Sequence, residues 1–109
     1  MDKEAMKKKI RQGAFTENNG RVLRAINLLR HKYERLRDVQ YALDDIENDR
    51  FLDSINFLSE AEYIKLRKIG SKESAAIEDV DDYALLEAKL TEKGIRLLGG
   101  KIVDDMVKA

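Results

Sequence analysis

The sequence predicts a mainly α-helical domain with a small β-hairpin, and three observations support that expectation. Apolar residues recur at helical spacing through Val22, Ile26, Leu29, Tyr33 and Leu36, and shorter stretches of the same period run on to Leu58. At Tyr63 the pattern changes to apolar residues alternating with basic ones, the period of a strand. The chain has 109 residues, 43% of them hydrophobic, enough for one core and too few for two.

Taken in order, residues 2–12 form a short helical segment whose apolar anchors are Met6 and Ile10, with Lys7, Lys8, Lys9 and Arg11 around them. Gly13 and the polar run Thr16 to Gly20 read as a linker, which makes residues 1–19 a basic arm. The first core helix follows, with Leu23 and Leu28 widening its stripe and Arg24, Arg30, Lys32 and Arg35 on its polar side. Asp38 caps a second, short helix through Val39, Ala42, Leu43 and Ile46. Asn48 or Asp49 caps a third, which buries Phe51, Ile55 and Leu58 with Leu52 beside them.

Residues 63–69 make the first strand, with Ile64 and Leu66 on one face and Lys65 and Arg67 on the other. The acidic stretch from Gly70 to Asp82 reads as a loop, and residues 84–90 as the second strand. Thr91 caps a short helix from Glu92 to Leu98, which Gly99-Gly100 stops. Ile102, Val103, Met106 and Val107 form a small apolar tail helix within residues 101–109. Three helices followed by a hairpin that packs on them is the winged helix-turn-helix plan, here over residues 20–100.

The formal net charge of zero hides segregation. Residues 1–37 carry 11 basic and 4 acidic groups, whereas residues 38–62 carry 1 and 8. Residues 63–72 are purely basic, and residues 73–92 hold 1 basic and 7 acidic groups. With no Cys, no apolar stretch behind the N-terminal lysines and no membrane-length apolar run, the expectation is a cytoplasmic protein without disulfides.

Two segments resemble winged-helix regulators. Phe51 to Ile64 resembles their third helix and its turn into the wing, with Ala61-Glu62 where the family usually has a Gly. Ala88 to Leu98 resembles the "LTxKGxxLL" exit of the wing. Val22-Leu23-Arg24-Ala25, Leu36-Arg37-Asp38 with Ala42-Leu43-Asp44, and Ala88 to Gly94 are similar to small winged-helix proteins of Mu-like phages and prophages. That resemblance implies a DNA-binding or transcription-associated regulatory role.

On the winged-helix plan the third helix enters the major groove of double-stranded DNA, where Arg50, Ser54 and Asn56 are the residues available to bases. Asp49, Asp53, Glu60 and Glu62 surround them, and carboxylates repel phosphates. Lys65, Arg67 and Lys68 on the wing strand, with Lys7, Lys8, Lys9 and Arg11 of the N-terminal arm, are the better phosphate contacts. The alternative is a protein-interaction module in which basic and acidic blocks pair, within a chain or across a homo-oligomer; Met6, Ile10, Lys7, Lys8 and Lys9 are then the oligomerisation residues.

Other chemistries lack the necessary residues. Asp45-x-Glu47-x-Asp49 imitates the start of a calcium loop, but Arg50 stands where Gly is needed and Asn56 where Glu is needed. The acidic run from Glu78 to Asp82 reads as a solvated loop, and His31 as a surface residue. No nucleophile pair or phosphate loop is legible, since Gly70-Ser71-Lys72 lacks the preceding Gly. The expectation is a protein that is not an enzyme and uses no cofactor, metal or small-molecule substrate. Six of the seven aromatic residues, Tyr33, Tyr41, Phe51, Phe57, Tyr63 and Tyr83, read as core or edge packing.

Overall fold

A computed structural model describes residues 2–29 and 32–108. Its first element, α1 (Lys3–Ile26), is one unbroken helix. Asp2 starts it by accepting a hydrogen bond from the Ala5 N–H at 2.7 Å, and Glu4 lies in the first turn, where an acidic group meets the positive end of the helix dipole. The segment expected as a linker is therefore helix, through Gly13 and Asn18-Asn19-Gly20. The polar run breaks nothing because the chain has no Pro, and because Asn19 and Gly20 are held from outside. The Asn19 amide donates to the Met106 carbonyl at 2.9 Å. A Cβ on Gly20 would fall 1.8 Å from the Lys108 carbonyl oxygen, so the tail fits against α1 only where that side chain is missing.

The other end of this helix also differs from expectation. The apolar period continues in sequence to Leu36, but the helix stops at Ile26, and a 3-10 turn at Asn27–Leu29 follows. Leu28 is exposed rather than part of the stripe. Arg30 and His31, expected on the polar side, lie outside the described residues. The chain re-enters as β1 (Glu34–Arg35), turns directly into α2 (Leu36–Ala42), and continues into α3 (Asn48–Glu60). Asp38 lies in the first turn of α2 instead of capping it, and Glu47 precedes α3 without a side-chain cap bond.

The hairpin is β2 (Ile64–Lys68) and β3 (Leu86–Leu90), antiparallel, with Leu66 opposite Ala88 and Lys65 opposite Lys89. β1 joins the other edge of β3, giving a three-stranded sheet in the order β1-β3-β2. α4 (Glu92–Leu98) closes the fold; Thr91 caps it by accepting from the Gly94 N–H at 3.1 Å. Short 3-10 turns at Ile77–Asp79 and Tyr83–Leu85 punctuate the acidic loop. The molecule is thus mainly helical with a small antiparallel sheet, and among the described residues no helix is long and apolar enough to cross a membrane.

The core gathers Val22, Leu23 and Ile26 of α1, Phe51, Ile55 and Leu58 of α3, and Leu66, Leu86 and Ala88 of the sheet. The expected tail helix is absent: residues 101–108 form bends and turns. Only Val107 of the tail is buried, strapped down as Lys108 donates its N–H to the Thr16 carbonyl and Arg24 donates to the Lys108 carbonyl. With the Lys108 ammonium donating to Glu17 at 3.4 Å, four hydrogen bonds settle the tail along α1 without requiring a helix of its own.

The turn from α3 into β2 holds Glu62 at φ 65°, in the left-handed region. A side chain in that conformation costs about 1–2 kcal/mol. Glu62→Gly is expected to stabilise the fold by about 1 kcal/mol after the extra chain entropy of Gly is subtracted. Urea unfolding checks it, and a loss of stability would show that the Glu62 side chain makes up for its backbone.

Candidate nucleic-acid interface

The geometry of α3 decides what that helix offers a partner. The 3.6-residue period places Asp49, Asp53, Asn56 and Glu60 on one outward stripe, and all four are exposed. Asn56 is therefore accessible, but three carboxylates share its face. Arg50 is exposed on the flank of this stripe, where it lines a shallow groove with Arg11, Phe15, Asn18 and Asp53 between α1 and α3. Phe15 and Phe57 pack edge to face at 5.5 Å across the same helix pair.

Ser54 corrects the expected base-reading set. It is fully buried on the core side of α3, and its Oγ has no hydrogen-bond partner. It lies three residues from Phe51 and one from Ile55, so the helical period that buries those two takes Ser54 inward with them. Ser54 is withdrawn from the surface, and the three residues expected to read bases do not form one face.

The sheet provides a different surface. Its inner face carries Ile64, Leu66, Leu86, Ala88 and Leu90, all buried. Strand alternation sends the intervening residues outward in two rows. One row is Arg35, Glu87 and Arg67, paired in register across the three strands. The next is Lys89 and Lys65, directly opposite each other, with Tyr33 just before β1 on the same side. The Arg67 guanidinium lies 3.6 Å from the centre of the Tyr33 ring and the Lys89 ammonium 5.9 Å, so the ring bridges both rows through cation–π contact.

Charges on this face do not cancel. Arg67 donates to Glu87 at 2.6 Å, and this pair is largely withdrawn from solvent, with side-chain exposures of 27% and 12%. Lys65, Lys89 and Arg35 remain without an ion pair among the described residues. Like charges directly opposite on a sheet destabilise it. Lys65 facing Lys89 is thus an arrangement that folding alone does not favour and that a bound anion relieves.

The wing trio expected from sequence is accordingly split. Lys65 is exposed on this face, and Arg67 is on it but committed to Glu87 and Tyr33. Lys68 has the opposite strand parity, facing Leu86 in register, and lines a groove with Ile69, Gly70, Asp79 and Val80. Tyr33, Arg35, Glu87 and Lys89 are not among the expected binding residues, and Tyr33 and Arg35, expected on the first core helix, instead lie just before and within β1. The alternation that sends Lys65 outward also sends Lys89 outward, but their juxtaposition appears only once the register is known. The two-residue strand carrying Arg35 has no periodic signal at all.

Several charges elsewhere are paired or shifted by their surroundings. Arg21 forks onto Asp45 at 2.7 and 2.9 Å, and this hydrogen bonding holds the Asp45 carboxyl below its ordinary range. The carboxylate at the head of the calcium-like spacing therefore already has a partner. Burial, chiefly, raises Glu34, with Asp38 nearby adding to it. Tyr63 is pushed up to about 12 by burial first and then by its hydrogen bond to Asp104. Of the other aromatic residues, Phe51 is buried and Tyr83 packs on it at 5.9 Å, but Tyr41 is 81% exposed on α2, contrary to the expected packing role. Among the described residues no three His, Asp or Glu side chains converge as a metal site would require.

Comparison with protein-family models, curated proteins and solved structures finds no match to this chain.

Proposed function

We propose that this chain is a winged-helix DNA-binding protein, of the regulatory kind that small proteins of Mu-like phages and prophages exemplify, and that it holds duplex phosphates on the outer face of its sheet. The observation that carries the proposal is the unrelieved opposition of Lys65 and Lys89 beside Tyr33, with Arg35 in the adjacent row. Support for the winged-helix part is the chain order α1, β1, α2, α3, β2, β3 together with the sheet order β1-β3-β2. Three helices then bear a ribbon whose outer face is free to lie along a phosphate backbone.

Contact through the sheet accounts for the acidic stripe on α3, which major-groove docking would press against phosphates. Phosphate contacts carry affinity without sequence preference, so the expected activity is salt-dependent, largely non-specific binding. A fluorescent duplex read by anisotropy is expected to bind with a dissociation constant of order 10 µM near physiological salt. About three neutralised phosphates give a log–log salt slope of about −2.7. Lys65→Glu with Lys89→Glu is expected to abolish binding while leaving the fold intact, since both residues are on the outer face. No binding at low salt, or binding unchanged in that variant, overturns the proposal. Absence of binding would favour the second reading, an assembly module, for which the acidic stripe on α3 speaks directly.

A further inference from the structure

The first half of α1 stands outside the fold. Every residue from Lys3 to Gly13 is exposed, and of these only Arg11 reaches the groove that α1 forms with α3. About 15 Å of helix is therefore unsupported, a length that is marginal as an isolated helix in water. Met6 and Ile10, 51% and 68% exposed, are four residues apart on one face. By the helical period that face is opposite the side on which Val22 and Ile26 enter the core. The two apolar side chains are turned away from the core that the described residues form.

Charge identifies the cover. Lys3–Gly13 holds Lys3, Lys7, Lys8, Lys9 and Arg11 against the single carboxylate Glu4. Two such arms laid together would place lysines on lysines, so the arm does not pair with itself. The complementary surface is the outward stripe of α3, where Asp49, Asp53 and Glu60 have no ion pair among the described residues. Asp44 and Glu47, just before α3 in sequence, are exposed carboxylates as well, and the exposed Tyr41 precedes them in α2. A phosphate backbone supplies the charge but no apolar surface to cover Met6 and Ile10.

We infer that a second copy of this chain is the partner: the arm Lys3–Gly13 of each copy lies across Asp49, Asp53 and Glu60 on α3 of the other. Each copy has one arm and one stripe, so reciprocal exchange closes at a two-fold dimer. The dimer occupies the outward face of α3 and leaves the outer face of the sheet free.

Analytical ultracentrifugation of the full chain tests this at about 0.1 M and about 1 M salt, where the Debye length falls from about 10 Å to about 3 Å. A dimer is expected at the lower salt, with its dissociation constant raised at least tenfold at the higher. Lys7→Glu, Lys8→Glu and Lys9→Glu together, and separately Asp49→Lys, Asp53→Lys and Glu60→Lys together, are each expected to give monomers. Mixing the two variants pairs swapped arm with swapped stripe and restores a one-to-one complex. A monomer at every salt, a dimer that survives either swap, or two monomeric variants that stay apart on mixing each overturns the inference. If the arm variant stays dimeric but loses duplex binding, the arm serves DNA and the inference also fails. Duplex binding by Lys65 and Lys89 is read separately, so either proposal fails without the other.

Discussion

Gly94→Ala is expected to destabilise this protein by about 3 kcal/mol, the upper range for inserting a methyl where nothing yields. The added Cβ would stand 2.2 Å from the Tyr63 carbonyl oxygen and 3.1 Å from its carbon, both backbone atoms with no rotamer by which to move aside. The contact is tight because α4 is bound to the α3–β2 turn at several points. Thr91 donates its N–H to the same Tyr63 carbonyl at 3.0 Å and its hydroxyl to the Glu62 carbonyl at 2.5 Å, while the Lys93 ammonium reaches the Ala61 carbonyl at 3.0 Å. Lifting α4 to admit the methyl breaks these together and opens Leu97, which is buried. Gly13 is the control within the same molecule, for nothing beyond its chain neighbours and its own helix backbone lies within 4 Å of a Cβ there. Gly13→Ala should instead stabilise α1 by up to about 1 kcal/mol, the helix-propensity difference. Urea unfolding of both variants checks the pair, and equal effects at the two glycines would show that the close approach at Gly94 carries no energy.

That packing also shows where sequence reasoning reached and where it stopped. The exit of β3 into α4 was legible to the residue, because a capping Thr91, apolar spacing and Gly99-Gly100 are local signals with local causes. The core residues of α3 and the alternation of β2 were legible for the same reason. Two features were not. Asn19 and Gly20 look like a turn, yet they are helical because a tail almost ninety residues away in sequence needs an amide and a missing Cβ at those points. The period through Leu29, Tyr33 and Leu36 looks like more helix, yet Tyr33 is on the outer face of the sheet and Leu36 opens α2. Tertiary contact decided both, and periodicity is blind to it.

The site divides along the same line. Lys65 as an outward cation follows from alternation alone. Ser54 has the residue type of a base-reading group, but the helical phase carries it inward beside Phe51 and Ile55. Lys89 gained its meaning only from the register that sets it against Lys65. The neutral composition therefore conceals two separate electrostatic surfaces, a cationic sheet face and an anionic α3 stripe. The two proposals assign them different partners, an anion to the first and a basic helix to the second.

Arg67 distinguishes a residue that touches a ligand from one that prepares the surface for it. Arg67→Ala is expected to cost about 2 kcal/mol in stability, because it leaves the Glu87 carboxylate largely buried without its 2.6 Å partner. The cost lies below the roughly 3–5 kcal/mol of a fully buried pair because Arg67 keeps some contact with solvent. The same change uncovers a negative charge between Lys65, Lys89 and Arg35, and duplex affinity should fall at least tenfold. Replacing both partners, Arg67→Ala with Glu87→Gln, removes the unpaired carboxylate. Stability should then recover by more than half, and duplex binding should return to near its original strength, since the three unpaired cations are untouched. A double-mutant cycle read by urea unfolding and by anisotropy measures the coupling in both quantities. If stability recovers but binding does not, Arg67 itself contacts phosphate, and the reading of it as the partner that silences Glu87 is wrong.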